Sequence, residues 1–271
     1  MAAPLPDLLT GEASGTALVV RAAALAEAVC GQSWSDVCAD ATQLVGAAKR
    51  LSALFGLGAL VLGDDPALVV DQALAPSRVA TLAEAIGRLA AEGAGLPVIC
   101  LLPGPIALGA ITEDGSVDEA VKEAFAAAAE AICEGRPVLL LFDEATVSAS
   151  AMESMAARRL YNTLRNVAGY FDVKVGVLLP EGASGALAGR LKLDVALAPV
   201  GGPGQNAEFA EAVADGDALA GFALSVAMLD KLAGIAAQAQ ERGLLVIARA
   251  ENGTTIEAMH AFMRAAGDAG Y

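Results

Sequence analysis

Histidine is almost missing from this chain: His260 is the only one in 271 residues. It falls on a helical stretch between Met259 and Phe262, where packing or partial exposure is expected and catalysis is not. Aromatic residues are scarce at 4%, and bases are outnumbered, 17 against 32 acids, for a formal charge of −15. With no basic run and few rings to stack on bases, nucleic-acid binding is excluded, and anionic lipid is repelled for the same reason. Cysteine is sparse too. Cys30, Cys38, Cys100 and Cys133 are scattered with no CxxC pair, so no disulfide framework is expected, and reduced, mostly buried thiols are. Long uncharged runs are limited to residues 93–112. That run contains Pro97, Pro103 and Pro105, and a membrane helix needs roughly 20 apolar residues in helical geometry. A buried strand and loop fit it better, so no membrane span is expected. The first seven residues, Met-Ala-Ala-Pro-Leu-Pro-Asp, carry neither the basic nor the apolar region of a signal peptide. A cytoplasmic location is therefore expected.

What the sequence does have is apolar bulk, with 56% hydrophobic residues and a mean hydropathy of +0.56. It is arranged in eight short apolar runs, at residues 16–21, 59–63, 97–102, 137–142, 174–179, 194–198, 218–225 and 244–248. Apolar residues occupy consecutive positions in these runs, as in parallel strands covered on both faces. Between them lie helical periodicities at 35–55, 77–91, 118–133, 150–170, 184–191, 206–215, 228–242 and 255–269. Eight strand–helix pairs predict a single (β/α)8 TIM barrel over residues 1–271, with residues 1–14 as a flexible arm. The Gly201-Gly202-Pro203-Gly204 stretch lacks the spacing of a dinucleotide or phosphate fingerprint and reads as a mobile lid.

In such a barrel the active site lies where strands feed loops at their carboxyl ends. The second run ends in Asp64 and Asp65. Two neighbouring carboxylates face different ways, so one can point into the mouth and act as a general acid while the other caps the next segment; a plain loop turn before Pro66 is the alternative. Asp143 and Glu144 repeat the pattern on the fourth run. Arg21 ends the first run, placed either to clamp a substrate carboxylate with its planar fork or to pair with Asp65 or Asp143. Arg249, Glu251 and Asn252 end the eighth run and offer a second anion-recognition cluster. Asp65 and Asp143 are thus the candidate catalytic groups, and Arg21, Asp64, Glu144, Arg249, Glu251 and Asn252 the candidate substrate-binding ones. No metal ligands and no cofactor are expected.

Several strand ends, taken with their flanks, resemble the uroporphyrinogen decarboxylase superfamily. Residues 26–40 (AEAVCGQSWSDVCAD) and 47–65 (AAKRLSALFGLGALVLGDD) are similar to its first barrel unit. Residues 96–108 (LPVICLLPGPIAL) resemble its strand and Gly-Pro loop, and 136–148 (RPVLLLFDEATVS) the strand that delivers an acidic pair. Residues 173–184 and 249–263 match the later units in outline. In the decarboxylase branch the resemblance places a substrate-binding arginine at Arg21 and the central aspartate at Asp65. The branch's second arginine falls on Leu25, and its late histidine has no counterpart among residues 249–252, so uroporphyrinogen itself is not the expected substrate. The branch that transfers methyl groups with corrinoid proteins holds zinc with a His-x-Cys pair and a later cysteine. The matching residues 178–182 and 248–250 contain neither.

Three functions follow from these readings. The first is a metal-free lyase or decarboxylase acting on a small carboxylate-bearing substrate. The second is a methyl- or demethyl-transferring enzyme working with a corrinoid or folate partner. The third is a noncatalytic subunit of a hetero-oligomer. The chain is expected to form a homodimer or a complex with a related subunit, following the family's habit and the low density of charge available to cover its surface.

Overall fold

In a computed structural model that describes residues 3–92, 96–112, 114–228, 231, 234–235 and 243–271, all eight apolar runs are parallel strands of one sheet. They are β1 (Thr16–Arg21), β2 (Leu60–Gly63), β3 (Val98–Pro103), β4 (Leu139–Asp143), β5 (Lys174–Leu178), β6 (Val195–Pro199), β7 (Leu219–Ser225) and β8 (Leu244–Arg249). Hydrogen-bonded neighbours run β1–β8–β7–β6–β5–β4–β3–β2. The two end strands, β1 and β2, lie side by side without a backbone ladder between them. The result is a nearly closed (β/α)8 barrel. Among the described residues no helix is long and apolar enough to cross a membrane.

The strands look uniformly apolar because both of their faces are buried, yet the period of two still separates the faces. Ala17 and Val19, Ile99 and Leu101, Leu139 and Leu141, Val195 and Leu197, and Leu245 and Ile247 pack on one another inside the barrel. The alternate residues, such as Val20, Cys100, Leu140, Ala196 and Val246, pack outward under the helices. Three of the cysteines are buried and all four are free; burial pushes the Cys133 thiol up to about 12.

Helices start where a short polar side chain caps them. Asp40 caps Ala41–Phe55, accepting from the Gln43 N–H, and Ser154 and Thr255 do the same for Met155–Tyr170 and Ile256–Asp268. These caps divide two periodicities that read as continuous. The stretch expected over 35–55 splits into Trp34–Val37, capped by Ser33, and the helix after Asp40. The one over 150–170 splits at Ser154, with Ser148 capping Ala149–Met152. A cap that holds N–H groups beyond it interrupts the helix before it. The helix expected over 228–242 lies mostly outside the described residues.

The amino-terminal residues correct an expectation. Instead of a flexible arm, Leu5–Thr10 is a helix whose Leu5 and Leu8 are buried in the same apolar cluster as Ala17, Ala59, Leu139 and Leu245. Ala3 N–H also donates to Thr16 O at 3.1 Å. An open barrel floor would expose apolar side chains, and this short helix plugs it.

Candidate active site at the barrel mouth

The interior period of two fixes what stands at the carboxyl ends of the strands. Continuing inward from Val19, Leu141, Ala223 and Ile247, the next inward positions are Arg21, Asp143, Ser225 and Arg249. Register places Arg249 beside both Arg21 and Ser225. A fully apolar interior therefore ends in a polar upper layer of two cations, one carboxylate and one hydroxyl.

Arg21 is the organiser of this layer. Its Nε and Nη2 donate to the two carboxylate oxygens of Asp64 at 3.1 and 2.5 Å, a two-pronged pair that joins β1 to the end of β2 across the seam lacking a backbone ladder. The turn after β2 makes that reach possible. Gly63 and Asp64 both adopt positive φ, +98° and +50°, and Asp tolerates this region better than most residues. Gly63 is also required sterically, since a Cβ there would lie 1.8 Å from Leu101 O. The remaining prong of Arg21, Nη1, faces Asp143 Oδ2 at 3.6 Å.

Asp143 sits between two hollows of the mouth, and with Arg21 it lines both. One hollow, of about 240 Å³, is walled by Leu141, Leu178, Leu197, Ala223 and Ile247, with Ser225, Arg249 and Glu251 as its other polar groups. The second, of about 380 Å³, is bounded by Asp64, Asp65, Pro66, Pro103 and Thr146. Arg249 is exposed, and its guanidinium has no hydrogen-bond or ion-pair partner among the described residues. Its backbone is fixed, with its carbonyl accepting from Val226 N–H at 2.9 Å.

The expected site residues thus converge only in part. Arg21, Asp143, Arg249 and Glu251 share one hollow, and Asp64 and Asp65 edge the other. Asn252 is exposed beyond the rim and lines neither. Asp65 reaches the same end of the barrel, but its side chain is only 2% exposed and faces Arg78 at 3.6 Å. Its Oδ1 accepts from Ala67 N–H, capping the turn at Pro66, while Oδ2 is buried without a hydrogen bond. Of the two candidate catalytic carboxylates, Asp143, at 27%, is the one open to the mouth.

Glu144 turns the opposite way. It is fully buried, with Oε1 accepting from Tyr161 O–H at 2.6 Å and Ile106 N–H at 2.9 Å, and Oε2 from Ala107 N–H at 2.8 Å. Burial raises its pKa to about 7, against the pull of these three donors. The strand ends at Asp143, so the face rule stops applying to its neighbour, and Glu144 anchors the loop after β3 instead of facing the mouth. Gly104 makes room for it, since a Cβ there would come 2.1 Å from Glu144 Cδ. Tyr161 and Gly104 were not anticipated from sequence. Ser225 was also missed, although its parity with Leu219, Gly221 and Ala223 marks it as inward.

The Gly201–Gly204 stretch, expected as a lid, is the start of the helix Pro203–Ala214. Gly201 N–H donates to Asn206 Oδ1 and Gly202 N–H to Gln205 Oε1, so these amides already have partners. His260 packs against Phe55, with ring centroids 5.1 Å apart. Among the described residues no group of three or more His, Cys, Asp or Glu side chains is placed to hold a metal ion.

Fold and site together define the class: a (β/α)8 barrel with a small, part-apolar, charged mouth. No protein-family model and no curated protein matches the sequence. Solved structures match through their fold. A methyltransferase from Methanosarcina mazei superposes with a TM-score of 0.75 at 13% identity, covering 98% of this chain and 97% of that one. The homocysteine methyltransferase MmuM from Escherichia coli, in its metallated form, gives 0.60 at 15% identity over 96% and 99%. A putative lyase/mutase from Burkholderia cenocepacia gives 0.50 at 16% over 97% and 87%. Identities this low establish shared architecture and no more. The chain is similar in fold to methyltransferase and lyase/mutase barrels.

Proposed function

We propose that the mouth of this barrel binds a small carboxylate-bearing organic molecule and carries out a metal-free lyase-type reaction on it, with Asp143 moving the proton. The observation that carries this reading is Arg249: an exposed guanidinium, without a partner among the described residues, at the rim of an apolar hollow that also contains the most open interior carboxylate. Arg249 receives the substrate carboxylate. Arg21, held by Asp64, keeps its third prong toward Asp143 and so fixes the position of that carboxylate. When the bond breaks, the departing group leaves as a neutral electrophile such as carbon dioxide, the electron pair stays on the substrate carbon, and Asp143 relays to that carbon a proton drawn from solvent at the mouth, where its side chain is 27% exposed. Asp65 is a positioning group in this scheme, holding the turn after β2 and Arg78, and Glu144 holds the loop after β3.

The test is a screen of small carboxylic acids followed by proton NMR for loss of substrate and appearance of a cleaved or decarboxylated product. Arg249→Ala is expected to raise KM for any accepted acid by about 10- to 100-fold, the worth of a hydrogen bond to a charged group, with little change in thermal midpoint because the side chain is exposed. Unchanged KM in that variant would remove Arg249 from the site.

The similarity in fold to two methyltransferases supports a second reading, methyl or demethyl transfer with a corrinoid or folate partner. Demethylation of methylcobalamin or 5-methyltetrahydrofolate by the protein would favour it over the lyase reading. In either case we propose that the chain works as a homodimer or with a related subunit.

A further inference from the structure

The charges of the apolar hollow do not suit a bare anion. Arg21 is already neutralised by Asp64 through two hydrogen bonds. Among the described residues that leaves Arg249 as the free cation of the hollow, which it lines together with the carboxylates of Asp143 and Glu251. A simple carboxylic acid would add a third negative group to this space, in a chain that already carries −15. A molecule that also bears an ammonium group would restore the balance.

The unused hydrogen-bonding capacity points the same way. Asp143 Oδ1 accepts from Ala145 N–H at 3.2 Å, while Oδ2 has only the 3.6 Å ion-pair approach of Arg21. It is therefore able to accept a full, short hydrogen bond from a ligand donor. At the other pole, Ser225 Oγ accepts from Ala227 N–H at 3.2 Å, and its O–H has no acceptor among the described residues. Register sets Ser225 beside Arg249, so the two together present a guanidinium and a hydroxyl to one carboxylate. Between the poles stand Leu141, Leu178, Leu197 and Ile247. The hollow, about 240 Å³, equals roughly eight water volumes, enough for a short aliphatic chain.

We infer that the natural ligand of this site is a small amino acid with an aliphatic body, its carboxylate on Arg249 and Ser225 and its ammonium on Asp143. This rests on the proposed carboxylate site and narrows it to one substrate class. An ammonium group at full hydrogen-bond distance from Asp143, closer than the 3.6 Å approach of Arg21, is worth about one hydrogen bond to a charged group, so the amino form should bind about tenfold tighter than its des-amino counterpart.

The test uses the unmodified protein and a matched set: pentanoate, butylamine, and 2-, 4- and 5-aminopentanoate, titrated by calorimetry at pH 7 and low salt. At least one aminopentanoate should bind about tenfold or more tighter than both pentanoate and butylamine. In Asp143→Asn, that advantage over pentanoate should disappear. Pentanoate binding as tightly as every aminopentanoate would overturn the amino-acid assignment and leave the carboxylate site standing. Failure of all five compounds to bind would overturn both.

Discussion

Asp143→Asn is expected to lower turnover of an accepted substrate by at least about a hundredfold, since general acid–base groups contribute typically 10²–10⁴-fold. Asparagine keeps the shape and the acceptor oxygen that receives Ala145 N–H, but it has no transferable proton and no charge. The fold should tolerate it. Arg21 retains its two bonds to Asp64, and Asp143 is open enough to water that its 3.6 Å ion pair contributes modestly. The thermal midpoint should therefore stay within a few degrees of the parent. Asp65→Asn supplies the contrast. That side chain is buried against Arg78 and caps the turn at Pro66, so its loss should reduce stability while sparing the specific activity of the folded fraction. A pair of rates and melting curves separates the two roles. Equal rate losses with unchanged melting in both variants would return Asp65 to the catalytic position expected from sequence alone.

The second large effect concerns Glu144 and pH. Its folded pKa, about 7, lies above the ordinary 4.5, and burial is the main cause. The sign follows from linkage: a raised pKa means that the folded protein holds the proton more tightly than the unfolded chain. The contribution is full below pH 4.5 and is lost as pH rises through 7. From (7 − 4.5) × 1.36 the loss is about 3 kcal/mol. Urea unfolding at pH 4.5, 6 and 8 should show stability falling across this window. The −15 charge adds a slope of its own, so the comparison with Glu144→Gln isolates this residue. The variant should lack the Glu144 share of the slope. It should also lose about 1–3 kcal/mol near pH 5, because one amide N–H of the glutamine must face a buried backbone N–H at Ile106 or Ala107. Parallel pH profiles for the two proteins would mean that Glu144 stays ionised throughout.

The architecture was legible because the strands announce themselves. Runs such as residues 137–142 and 244–248 are too short for helices and too continuous for surface strands, and each is followed by a capped helix. The end of the barrel on which the candidate residues gather followed from strand polarity alone. Its internal wiring did not. Arg21 read either as a substrate clamp or as a partner of Asp65 or Asp143, but β1 and β2 meet at the seam of the barrel, and no local pattern shows that Asp64 is the carboxylate across it. Glu144 follows Asp143 directly, yet a strand that ends between them sends the two to opposite sides. The partners of Glu144, Tyr161 and the amides after Gly104, stand 17 and 37 or 38 positions away. Two apolar residues, Leu5 and Leu8, are too few to show a periodicity, so the plug at the barrel floor read as a loose arm. Arg249 was placed correctly at the end of β8, but its lack of a partner among the described residues is a property of the folded mouth.

The most direct measurement is a crystal structure of the protein soaked with an accepted small carboxylate. Its carboxylate is expected in the apolar hollow, about 2.7–2.9 Å from the Arg249 guanidinium, with the reacting carbon next to Asp143. A carboxylate bound away from Arg249, for example in the cleft beside Ser184 and Asn206 outside the barrel, would contradict this assignment of the site.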